Sequence, residues 1–159
     1  MAEYGHSFNP LSMRGVKKSK IEDIEAVKAE IAKYVYDEML DHIGSGKSPV
    51  QGGPWKRELS AAYKKIKSKE SSAGFANLEL TGELLDSLKV EFVGDRLDIY
   101  VEGGSDLIGK AEGNNIGSYG KRSANRSKAR RFLPLSRERL NDEIRNGIKD
   151  IAKEFMSDG

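Results

Sequence analysis

Lys89-Val90-Glu91-Phe92-Val93-Gly94-Asp95-Arg96-Leu97-Asp98-Ile99-Tyr100-Val101 decides the fold class. Lys89–Val93 and Leu97–Val101 both alternate apolar and polar residues, and Gly94-Asp95 lies between them. Val90 and Phe92 share one face of the first strand. Leu97, Ile99 and Val101 share one face of its partner. A hairpin with one apolar face must bury it against another layer, so the helical segments on either side set the architecture.

Upstream, Ile21, Ile24, Val27, Ile31, Val35, Met39 and Ile43 recur at spacings of three and four. The spacing predicts a helix of about six turns with one apolar stripe. Ser19 reads as its N-cap with Glu22 as capping-box partner, and Gly44 and Gly46 end it. Downstream, Leu140, Ile144, Ile148, Ile151 and Phe155 form the stripe of a C-terminal helix, with Ser136 as candidate N-cap. Between these, Leu59, Ala62, Tyr63 and Ile66 predict a Lys-rich helix from Trp55, broken at Ser71-Ser72-Ala73-Gly74. Thr81 caps a short helix bearing Leu84, Leu85 and Leu88. The expected fold is α+β: a small antiparallel β-sheet, the hairpin around 89–101, packed against a long N-terminal helix and a C-terminal helix.

Residues 1–19 read as an N-terminal arm, polar and irregular, with Lys17 and Lys18 near its end forming a basic cluster with Lys20 just beyond it. The arm is either a disordered tail or docks on a neighbouring subunit, with Phe8, Leu11, Met13 and Val16 as its candidate anchors. Residues 20–156 form a single domain. Within it, 102–131 is a long glycine-rich stretch read as a loop, with a short strand around Leu107-Ile108. The hydrophobic share of the 159 residues is 37% and the charged share 33%. That apolar supply is thin for a compact globule, which favours loops and surfaces that order in an assembly.

Composition narrows the chemistry. The chain has no cysteine, which excludes disulfides and thiolate catalysis. Its two histidines, His6 and His42, are far apart, which argues against a His-rich metal site. No apolar run approaches the roughly 20 residues that span a bilayer, and residues 1–20 carry no apolar signal core. A soluble protein made in the cytoplasm, without membrane contact, is expected. Gly44-Ser45-Gly46-Lys47-Ser48 invites a phosphate-loop reading, but Asp41 stands where the motif needs glycine, and a long helix precedes it where a strand is required. Pro49 obstructs the helix that should follow. Asp37, Glu38, Asp41 and His42 cluster on the first helix, yet no second set of carboxylates completes a metal site, and a solvated helix face is the simpler reading. No Gly-x-Ser-x-Gly elbow is present. No catalytic, cofactor-binding or metal residue is assigned, no cofactor is expected, and the chain reads as a non-enzyme.

The strongest chemical signal is basic. Lys121, Arg122, Arg126, Lys128, Arg130 and Arg131 crowd a short stretch that ends at Phe132, with Tyr119 just before it. Such a segment contacts nucleic acid or meets an acidic surface on a neighbouring subunit. The formal net charge of only +2 weighs toward the second reading.

Three junctions, taken in order, carry a resemblance. They are Gly46-Lys47-Ser48-Pro49 leading through Gly53-Pro54 to Trp55, then Leu80-Thr81-Gly82-Glu83-Leu84-Leu85-Asp86-Ser87-Leu88, then Arg130-Arg131-Phe132-Leu133-Pro134-Leu135-Ser136. With the long helix before them and the amphipathic helix after, their order over residues 20–156 resembles the tail-completion and neck proteins of tailed bacteriophages. That superfamily includes the virion morphogenesis proteins of Mu-like phages and the minor tail components of HK97-like and lambda-like phages. The resemblance implies a structural virion protein, assembled in the host cytoplasm and located in the tail or neck. It implies a homo-oligomeric ring, often a hexamer, that joins the tail tube and terminator to the head-completion (connector) proteins. DNA passes through the lumen of such a ring, so non-specific contact with it is implied too. Trp55, Thr81 and Phe132 are then junction anchors, although Trp55 and Phe132 read equally as core aromatics. The long arm and the unusually basic 102–131 stretch depart from the family pattern. A nucleic-acid-binding module using 121–131 is the alternative function.

Overall fold

A computed structural model describes residues 2–52, 86–116, 131–135 and 138–157. Among these the chain is α+β. A three-stranded antiparallel sheet is built from β1 (Ala2–Phe8), β2 (Leu88–Val93) and β3 (Arg96–Gly103) in the order β1-β3-β2. Three helices accompany it: α1 (Ile24–Gly44), α2 (Ser105–Ile116) and α3 (Asp142–Glu154).

The hairpin forms as its alternation dictates. Val90 pairs with Ile99 and Phe92 with Leu97, and the turn uses Gly94 at φ +64°, a left-handed conformation that glycine adopts without strain. Leu88, Leu97, Ile99 and Val101 are buried on the inner face. On α1, the stripe Val27, Ile31, Val35, Met39 and Ile43 is fully buried. Each such side chain contributes about 1.5–3 kcal/mol relative to exposure. α1 packs on β2 and on α3. It runs antiparallel to α3: His42 at the end of α1 meets Asn141 at the start of α3, while Ile21 bridges Met156 at the other end. On α3, Ile144, Ile148 and Ala152 face this partner.

Five expectations are corrected. Residues 2–8 are not an arm but the strand β1, paired along β3 from Ala2↔Gly103 to Phe8↔Leu97. Tyr4, His6 and Phe8 stand opposite Val101, Ile99 and Leu97, on the inner face. Leu11 and Met13, read as anchors on another subunit, are buried in this chain's own core. The N-cap of α1 is Asp23, whose carboxylate accepts the Ala26 N–H at 3.0 Å; Ser19 lies in a short 3-10 turn, Lys18–Lys20. Residues 105–116, read as loop with a short strand around Leu107-Ile108, form α2. Leu107, Ala111 and Asn115 recur every four residues and are buried, and that packing overrides the low helix propensity of Gly109 and Gly113. Finally α3 begins after Asn141, whose Oδ1 accepts the Ile144 N–H at 2.9 Å, so Glu138 to Leu140 precede the helix. The expected Lys-rich helix from Trp55, the Thr81 cap, and Ser136 lie outside the described residues.

Candidate functional site

The places where the chain changes direction converge. α1 ends at Gly44, and Gly46 at φ +73° turns the chain back so that the Lys47 N–H donates to the His42 carbonyl at 2.8 Å. This aims Ser48 into the interior, where it is fully buried. Its hydroxyl donates to the Arg131 carbonyl at 2.6 Å and accepts from the Val50 and Gln51 N–H groups at 3.1 and 2.9 Å. Pro49 accepts the Asn141 N–H at 2.8 Å. The first and third sequence junctions are therefore joined directly, 83 residues apart.

The 131–135 segment is held from its other side by Asn115, at the end of α2. The Asn115 side-chain oxygen accepts the Phe132 and Leu133 N–H groups at 2.9 and 3.0 Å, and its amide donates to the Tyr4 hydroxyl at 2.8 Å. One fully buried amide thus connects α2, the incoming segment and β1. Phe132 and Leu133 follow into the core at 2% and 1% exposure. Burial pushes the Tyr4 phenol above its usual range, with the Asn115 bond acting the other way.

Arg131, read as a surface contact, points inward. Its guanidinium donates to the Asn115 carbonyl through Nη1 and sits beside Glu138, Nε to Oε1 3.1 Å, with its side chain only 12% exposed. The Nε–H is misaligned for a hydrogen bond, so the Glu138 contact is one of charge. Glu138 also accepts the Leu135 N–H at 2.8 Å. Phe132 is a core aromatic. Lys121, Arg122, Arg126, Lys128, Arg130, Trp55 and Thr81 lie outside the described residues.

The first-helix cluster is split by the helix itself. Asp37 and Asp41 are exposed, while His42 is buried. His42 Nδ1 lies 2.8 Å from the Glu38 carbonyl and Nε2 3.1 Å from the Asn141 amide nitrogen. The arrangement fits a neutral imidazole that donates through Nδ1 and accepts from Asn141. Asn141 in turn caps α3, so His42 ties the two helix ends together. Lys47 is exposed.

The chemistry of this cluster is that of a clasp: carbonyls, amides and hydroxyls satisfy one another where five segments meet. Asn115 and Asn141 were not singled out in the sequence. The four-residue repeat Leu107-Ala111-Asn115 was the available signal for the first. A scan against protein-family models gives no match, and neither do searches of curated proteins and of solved structures.

Proposed function

We propose that this chain is a structural virion protein of a tailed bacteriophage, a ring-forming tail-completion or neck subunit that joins the tail tube to the head-completion proteins. The observation that carries the reading is the bond from Ser48 to the Arg131 carbonyl. Two of the three segments on which the resemblance rests are partners in one buried clasp, so their pairing in this chain has a physical basis. The clasp fixes loops and chain reversals, which suits a subunit that presents them to neighbours. A head-to-tail ring needs two different complementary surfaces on each subunit.

Electron microscopy and mass photometry of the purified chain, alone and with tail proteins, test this. Annular particles, hexameric in mass, that attach to tail ends are expected. A strict monomer that never joins tails overturns it. The nucleic-acid alternative predicts DNA binding that weakens steeply with salt and disappears on charge reversal at Arg122, Arg126 and Arg130.

A further inference from the structure

The inner face of the sheet is covered by helices, whereas its outer face carries Glu3, Gly5 and Ser7 from β1, Arg96, Asp98, Tyr100 and Glu102 from β3, and Lys89 and Glu91 from β2. Most of these side chains are exposed. A solvated face is ordinary for an antiparallel sheet, but the charge pattern here is not. Glu3 stands directly opposite Glu102, and Glu91 directly opposite Asp98. Like charges in directly opposed positions destabilise a sheet. The second pair is relieved within the fold, since Asp98 binds Arg96 and Ser7 while Glu91 accepts the Tyr100 hydroxyl at 2.8 Å. Glu3 and Glu102 form no ion pair among the described residues. The Tyr100 phenol registers the field: the Glu91 bond, then burial and the charges of Glu91, Glu102 and Glu3, push it up to about 12.

The same sequence holds a complement to this face. Residues 117–130 contain Lys121, Arg122, Arg126, Lys128 and Arg130 and no acidic residue. The segment leaves from the end of α2 and returns at Arg131, two points joined by the Arg131–Asn115 contact. Both lie on the covered side of the sheet, because Asn115 binds Tyr4 on the inner face of β1. Half of such a segment reaches on the order of 20 Å when extended, ample to extend beyond its own subunit. A basic segment rooted on one side and an acidic sheet face on the other make the subunit electrostatically polar. Contacts between unlike surfaces of identical subunits are head-to-tail, and they close into rings where the rotation between subunits closes.

We propose that the outer sheet face around Glu3, Glu91 and Glu102 docks the basic segment 121–130 of a second copy of this chain. The contact rests on the self-assembly part of the proposed function and names the two surfaces that perform it. Salt weakens it, because exposed charges are screened beyond about 8 Å at physiological ionic strength.

Mass photometry and sedimentation velocity on the purified full chain test the contact at low and high salt. Glu3→Lys with Glu102→Lys, and separately Arg122→Glu with Arg126→Glu, are each expected to weaken association about fivefold per reversed pair. Combining the two sets is expected to restore it. Glu3→Gln with Glu102→Gln separates docking from folding: its melting temperature holds or rises slightly while its association weakens. The proposal is overturned if the wild-type chain is monomeric, or if association ignores salt and both reversals. It is also overturned if the segment reversals abolish DNA binding alone. A chain that still forms rings on tails despite both reversals keeps the ring reading and loses this contact. A chain that associates through this contact but never joins tails keeps the contact and loses the tail reading.

Discussion

The buried clasp and the outer sheet face treat polar groups in opposite ways. In the clasp, Ser48, Asn115 and Asn141 sit in the interior, and each has several partners with good geometry. On the sheet face, the exposed carboxylates of Glu3 and Glu91 stand opposite the half-buried ones of Glu102 and Asp98. Both patterns are polar, yet their energetics differ in kind. A buried hydrogen-bonding group without a partner costs about 1–3 kcal/mol, so nearly every polar group of the clasp is paired, the Arg131 Nε–H being left with the charge of Glu138 alone. Opposed surface charges cost only tenths of a kcal/mol to about 1 kcal/mol, which leaves an outer face free to serve something other than stability.

That contrast predicts a ranking of substitutions. Asn115→Ala should be the most damaging, because it strands the Phe132 and Leu133 N–H groups inside the core and frees the Tyr4 hydroxyl. A loss of about 3 kcal/mol or more is expected from two orphaned donors, read by urea denaturation. A loss below about 1 kcal/mol would erase the distinction between the two regions.

Ser48→Ala should cost less, about 2 kcal/mol, since one hydroxyl serves the Arg131 carbonyl and two N–H groups at the edge of the same clasp. Hydrogen exchange should then quicken at Val50, Gln51 and Phe132 together, as one opening unit. Asn141→Ala removes the α3 cap and the His42 partner, for about 1–2 kcal/mol, and circular dichroism should register fraying of the last helix.

A pH effect arises on β1. His6 is held below its ordinary 6.5, first by burial and next by the opposed influences of Glu138, which raises it, and Arg145, which lowers it. A depressed folded value means that the unfolded chain binds the proton more readily. His6 therefore contributes stability above about 6.5, and that contribution is lost as pH falls through the lower folded value. His6→Gln should flatten this part of the stability–pH curve; an unchanged curve would assign it elsewhere. Smallest of all, Glu102→Gln relieves the Glu3 repulsion and should raise stability by a few tenths of a kcal/mol, seen as a slight rise in melting temperature.

Elements with strong periodicity were legible before any coordinates. The stripe of α1 and the alternation of β2 and β3 emerge at the expected residues, because each rests on local spacing that one side of an element must bury. β1 was hidden because its inner face reads Tyr4, His6, Phe8, with a histidine at the centre and Gly5 beside it. Gly5 is there for contact: a Cβ at that position would lie 2.4 Å from the Ile99 carbonyl oxygen, a constraint invisible without the neighbouring strand. α2 was hidden by its glycines. Of the candidate site residues, Phe132 was legible as a core aromatic. Arg131 was misread, because its place in a basic run says nothing about which way the side chain turns.

By itself the sequence determined which segments are amphipathic, where the hairpin turns, and which residue types are present to do chemistry. Those properties follow from neighbours along the chain. Tertiary structure alone decided that the N-terminal residues complete the sheet, that Ser48 finds the Arg131 carbonyl, and that Asn115 holds three segments at once. Each of these pairs residues far apart in sequence, whose partners are chosen by the need to leave no buried hydrogen-bonding group alone.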